Sequence, residues 1–162
     1  MILQKMESAV WEPLWNSLDD AREQVLYGLQ QCDILKIYDN EIQWLTGEYD
    51  FTEGVRWINM RYHIPLILVS MGKEGSRAYY QDKMVEAAPF IQKNTIETTG
   101  AGDTFCACVL HYVLEHGLQK LTDKDLKDML TYANAAASIV TTRKGALRVM
   151  PQPKEIEGLI KA

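Results

Sequence analysis

The chain has 162 residues, 47% of them hydrophobic and 24% charged, with a formal net charge of −5; that length and apolar content suit one domain with a real core. A mildly acidic chain with no basic stripe argues against nucleic acid as the main partner. The longest apolar runs, such as Ile64–Val69, are too short to span a bilayer, and the first residues show no basic block followed by an apolar one, so no membrane partner and a cytoplasmic location are expected.

Met1–Ser17 shows little periodicity, although Trp11, Leu14 and Trp15 have the bulk to cap a core. Ser17 or Asp19 can cap a helix running to about Gln31, in which Ala21, Val25, Leu26 and Leu29 keep helical spacing. Asp33–Ile37 then reads as a short buried strand. Asp39–Gly47 returns to helix, with Ile42, Trp44 and Leu45 apolar and Gly47 as its stop, and Thr52–Tyr62 forms another. Ile64–Ser70 is an apolar strand with Pro65 near its start, followed by Met71–Gly75, a turn carrying two glycines. Ser76–Gln81 and Met84–Ala88 read as a hairpin across Asp82 and Lys83. The chain crosses Ile91–Ile96, and helices follow at Gly102–Glu115, Asp123–Thr141 and Pro153–Lys161. Strands alternating with helices imply a parallel α/β sheet with helices on its faces and ligands at the C-terminal ends of its strands.

The stretch that organises the chain is Glu97–Phe105, read Glu-Thr-Thr-Gly-Ala-Gly-Asp-Thr-Phe. Gly100, Ala101 and Gly102 let the backbone approach a ligand closely, and the helix behind them turns its first N–H groups toward the same point. That combination makes an anion site with Asp103 at its rim, where the helix dipole favours the ionised carboxylate. Taken alone, the same residues also suit an ordinary helix start with turn glycines. Cys106 and Cys108 point to different faces of that helix. Together with Cys32 they read as buried thiols rather than as a metal site or a disulfide. His63, His111 and His116 have no ligand-like spacing and read as core, surface or helix-end residues.

Glu97–Phe105 closely resembles the signature of the PfkB (ribokinase-like) carbohydrate kinases, Asp-Thr-x-Gly-Ala-Gly-Asp-x-Phe, with Glu97 in place of the first Asp. The resemblance extends to Asp33–Gly47, similar to the family's strand and acidic motif, to Val69–Gly75, similar to its glycine turn, and to Asn134–Ala146, similar to its last nucleotide-side helix and loop. Leu14-Trp15 resembles a pair that precedes a helix in the fructokinase-like branch. The resemblance implies an incomplete three-layer α/β/α ribokinase-like sheet, residues 1–162 being a single C-terminal portion of the kinase domain.

It also implies ATP-dependent phosphotransfer to a sugar hydroxyl. Asp103 would be the general base, and the backbone of Gly100, Ala101 and Gly102 would face the transferring phosphate. Ser70, Gly72, Gly75, Gly102 and Asn134 would lie along the nucleotide. Glu41, in a motif whose Asn is here Tyr38, would hold magnesium through water. Backbone oxygens of Thr99, Thr141, Lys144 and Ala146 would cage a monovalent cation, potassium in kind, with Glu97 in place of an Asp leaving that dependence in doubt.

The family's upstream strands, β lid and sugar-holding residues have no counterpart in this sequence. Their lack leaves an unpaired strand edge, for which self-association as a homo-oligomer or pairing with the N-terminal portion is the expected answer. Two functions remain open: the nucleotide-binding, base-bearing half of a fructokinase-like sugar kinase, inactive alone, or a non-catalytic nucleotide-binding or assembly module derived from one.

Overall fold

The structure, a computed structural model, describes residues 18–145 and 147–162. The expectations for Trp11, Leu14, Trp15, a Ser17 cap and Ala146 lie outside the described residues. Six α-helices and four strands are described, in hydrogen-bonded strand order β1-β2-β3-β4. The described residues divide into two compact units, one of residues 18–70 and 79–82, the other of residues 71–78, 83–145 and 147–162.

The first unit contains α1 (Leu18–Leu29), β1 (Ile34–Tyr38), α2 (Asp39–Thr46), α3 (Phe51–Tyr62) and β2 (Leu66–Ser70). β1 and β2 pair in parallel, Ile34 opposite Leu66 and Tyr38 opposite Ser70. Each strand is buried through its first four residues, which is why both read as unbroken apolar runs rather than as alternating ones. Lys36 is the exception, a charge only 2% exposed in the middle of β1. Its Nζ lies 3.0 Å from the centroid of the Tyr38 ring, a cation–π contact that offsets part of the desolvation. Gly47 stops α2 in a left-handed C-cap, as its sequence position suggested. Asp50 caps α3 by accepting the N–H groups of Thr52 and Glu53 at 2.7 and 3.2 Å. α3 approaches α2 so closely that a Cβ on Gly54 would stand 2.2 Å from Ile42 Cγ2.

The second unit carries a 3₁₀ turn at Gly72–Glu74, the first residues of β3 (Ser76–Tyr80), then β4 (Lys83–Ala87), α4 (Ala101–His116), α5 (Asp123–Val140) and α6 (Pro153–Lys161). The hairpin turns at Gln81 and Asp82, one residue earlier than the sequence suggested, because Gln81 takes the left-handed conformation with φ 54°. With β1 and β2 parallel and the hairpin antiparallel, the sheet is mixed rather than wholly parallel. Thr122 caps α5, exchanging hydrogen bonds with Asp125. Phe105 and Val109 of α4 are buried, as are Leu126, Met129, Leu130 and Ala133 of α5, and Ala135, Ala136 and Ile156 form a cluster joined by Phe90 and Leu159. Cys32 and Cys106 are buried thiols outside any disulfide, and burial pushes the half-buried Cys108 thiol up to about 11. His63 caps the end of α3, His111 lies exposed beside Glu115, and His116 stacks on Tyr112 at the end of α4.

Candidate functional site

α4 begins at Ala101, one residue before the Gly102 start that the sequence suggests. Gly100 is its N-cap with φ 81° and ψ −6°, a left-handed conformation that glycine adopts without strain. Thr104 fixes that peptide, its N–H and its hydroxyl both donating to Gly100 O at 2.9 and 2.8 Å. The Asp103 side chain is exposed in the first turn. The Ala101 N–H donates to Thr98 O at 3.1 Å, within the loop that enters the helix.

Behind this helix start, the loop that enters it meets the turn that leaves α5. The N–H groups of Ile96 and Glu97 donate to Thr141 O at 2.7 and 3.3 Å, and the Glu97 carboxylate accepts the Gly145 N–H at 2.7 Å. Arg143 holds the far side of the turn through Val149 O at 3.1 Å and the Glu155 carboxylate.

Gly75 and Asn134, 59 positions apart in sequence, converge on the end of β4. A Cβ on Gly75 would stand 2.2 Å from Ala87 O. Asn134 Nδ2 donates to that same oxygen at 3.2 Å and to Ala88 O at 3.0 Å. Both of its amide hydrogens are therefore used in tying α5 to β4, the plainer helix-packing role open to an Asn among small residues. Truncation to Asn134→Ala leaves two carbonyls without that donor and is expected to destabilise the chain by about 1–3 kcal/mol, read by thermal or urea unfolding. A neutral result would show that the amide does not hold this junction.

In the first unit, Glu41 is half-buried at the start of α2 and its Oε2 accepts the Tyr38 N–H at 2.8 Å. The position where the resemblance calls for Asn is Tyr38, whose ring covers Lys36 instead. A role for Lys36 was not foreseen, although a lysine inside the run Ile34-Leu35-Lys36-Ile37 was the available signal. Ser70 Oγ is buried with no hydrogen-bond partner among the described residues.

The donor sets fit the expected ligands unequally. For a nucleotide, Ser70 keeps a hydroxyl without a partner among the described residues, whereas the space beside Gly75 is taken by the backbone at the end of β4. For magnesium, Glu41 keeps one carboxylate oxygen outside its helix-start bond, sufficient for an ion held through water. The monovalent cation set is engaged in part by the protein itself. Thr141 O already accepts two N–H groups, matching its two lone pairs, and the Glu97 carboxylate is bonded to Gly145. Thr99 and Lys144 are exposed, and Ala146 lies outside the described residues. Of the expected set Thr99, Thr141, Lys144 and Ala146, the Thr141 oxygen is thus engaged with protein N–H groups.

Residues 4–153 match the pfkB family carbohydrate kinase profile. Fructokinase-1 of Zea mays is 34% identical over 149 residues, which are 92% of this chain and 46% of that protein. Among solved structures, a double mutant of fructokinase from Vibrio cholerae O395, in fructose-, ADP- and potassium-bound form, superposes with a TM-score of 0.78 at 23% identity, covering 90% of this chain and 46% of that one. Arabidopsis thaliana ribokinase complexed with ribose and ATP gives 0.70 at 28% identity, covering 83% and 42%. The chain thus spans about half the length of the relatives it matches, and its α/β fold is ribokinase-like. Since the family profile runs across nearly all of the sequence, the chain belongs to the pfkB family of carbohydrate kinases.

Proposed function

We propose that this chain is the nucleotide-side, base-bearing portion of an ATP-dependent, fructokinase-like sugar kinase, residues 1–162 corresponding to the C-terminal portion of the relatives' kinase domain. The observation that carries the reading is the start of α4, where a left-handed Gly100 sets a helix N-terminus and Asp103 stands exposed in its first turn. Phosphoryl transfer depends mostly on positioning and charge neutralisation, so a helix end that favours anions beside a carboxylate that accepts a proton meets its central demand. In this reading Asp103 takes the proton of the sugar hydroxyl as that oxygen attacks the γ-phosphate of ATP. Gly100 and Gly102 hold the backbone close to the phosphate, while Ser70, Gly72 and Gly75 border the nucleotide. Asn134 acts through the β4 carbonyls that it fixes. Glu41 would orient water around magnesium, which when bound supplies charge neutralisation for the phosphates. A cytoplasmic location accompanies the reading, since ATP and free sugars are cytoplasmic solutes.

Self-association, or pairing with the remainder of a kinase domain, belongs to the same proposal. Its support is that β1 and β4, the outer strands of the described sheet, each have a side with no strand partner among the described residues.

A second reading, a nucleotide-binding or assembly module without turnover, draws on the internal engagement of the Ala101 N–H and the Asn134 amide. ATP-dependent phosphorylation of fructose and ribose separates the two. The 162-residue chain is expected to bind ADP weakly and to turn over little sugar, because the acceptor must be held beside Asp103 for catalysis. A longer version carrying the segment the relatives have beyond this match is expected to be active. Robust turnover by the short chain would overturn the half-site reading, and an inactive longer version would favour the module.

A further inference from the structure

Two loops flank the helix that carries Asp103, and three N–H groups join them directly: two donate to Thr141 O and one to the Glu97 carboxylate. The last is charge-assisted, the strongest kind available to a backbone amide. Gly145, its donor, sits at φ 111°, so the turn exposes this amide in a conformation that few other residues adopt. The turn is also anchored from its other side, where Arg143 bonds Val149 O and Glu155. A monovalent cation approaching Thr141 O or Glu97 Oε1 would compete with N–H groups already bound to those two atoms.

We propose that Glu97 is a positioning residue whose carboxylate, by accepting the Gly145 N–H, ties the turn after α5 to the loop entering α4 and makes the order of both loops independent of the monovalent cation in solution. The inference rests on the kinase reading only in that these loops border the proposed base. An Asp at position 97 would be one methylene shorter. The longer Glu side chain carries the carboxylate to an amide 48 positions away.

The test uses the 162-residue chain in potassium chloride and in choline chloride at equal ionic strength, reading Gly145 amide exchange by NMR together with the thermal midpoint. The Gly145 amide is expected to exchange at least about tenfold more slowly than an unbonded amide, equally in both salts, with the same thermal midpoint in each. Glu97→Ala should abolish this protection, and Glu97→Gln, which retains an acceptor, should restore part of it. Greater protection or a higher midpoint in potassium than in choline for the unaltered chain would overturn the proposal, as would undiminished Gly145 protection in Glu97→Ala. The two-salt comparison stands even if a variant fails to fold. No readout involves nucleotide or turnover, so its failure and that of the kinase reading are distinguishable.

Discussion

Replacing Asp103 with Asn in the longer, active protein is expected to lower kcat by about 10²–10⁴-fold, the range that a positioned general base contributes, while changing the Kd for ADP by less than about threefold. Asn keeps the size and polarity of the side chain but cannot take up the sugar proton. It also removes a negative charge from the rim of an anion site, so nucleotide binding has no reason to weaken. The side chain is exposed, and the lost interaction with the helix dipole is worth only about 0.3–1 kcal/mol, so the fold should persist and a melting curve will show it. Steady-state phosphorylation of fructose, read beside calorimetric ADP binding, checks both halves of the expectation. Unimpaired turnover would remove Asp103 from the chemistry. A parallel collapse of ADP binding and melting temperature would make it a structural residue.

What the sequence revealed and what it concealed divide along the range of the interactions. Helix ends were legible where their causes are local: Gly47 stops α2 within a turn of its own position, and the glycines around Ala101 mark the start of α4 to within a residue. The buried parallel strands were legible for a similar reason, since Ile-Leu-Lys-Ile and Leu-Ile-Leu-Val admit little besides burial on both faces. The hairpin slipped by one residue because Gln81 adopts a left-handed turn conformation that its side chain does not advertise. Choices of partner were not legible. Nothing near Asn134 says that its amide is bound to Ala87 and Ala88, nor does anything near Thr141 say that its carbonyl is doubly taken. Gly54 reads locally as a weak point in α3, whereas its missing side chain is what admits Ile42. Motif resemblance located the candidate site residues, and only the fold shows which of their polar atoms are already engaged.

Gly75→Ala is expected to be the most destabilising of the conservative changes near the candidate site. The residue sits at φ 96° and ψ −139°, a region open essentially to glycine, and its new Cβ would meet Ala87 O at 2.2 Å, Ala88 C at 3.2 Å and Pro89 N at 3.1 Å. These neighbours are backbone, so no side chain can swing aside. Backbone strain and overpacking at about 1–3 kcal/mol each place the loss near about 4 kcal/mol, or a fall of roughly 10 °C in Tm for a chain of this size. Gly72→Ala is the control, because its φ of 54° carries a smaller penalty and nothing lies within 4 Å of its Cβ. It should lose only about 1–2 kcal/mol. Pushing Ala87 O away also takes the acceptor from Asn134, so Gly75→Ala and Asn134→Ala share one junction and should be less than additive when combined. Strict additivity, or equal losses at Gly72 and Gly75, would mean that the end of β4 is not the shared anchor on which the glycine turn and α5 converge.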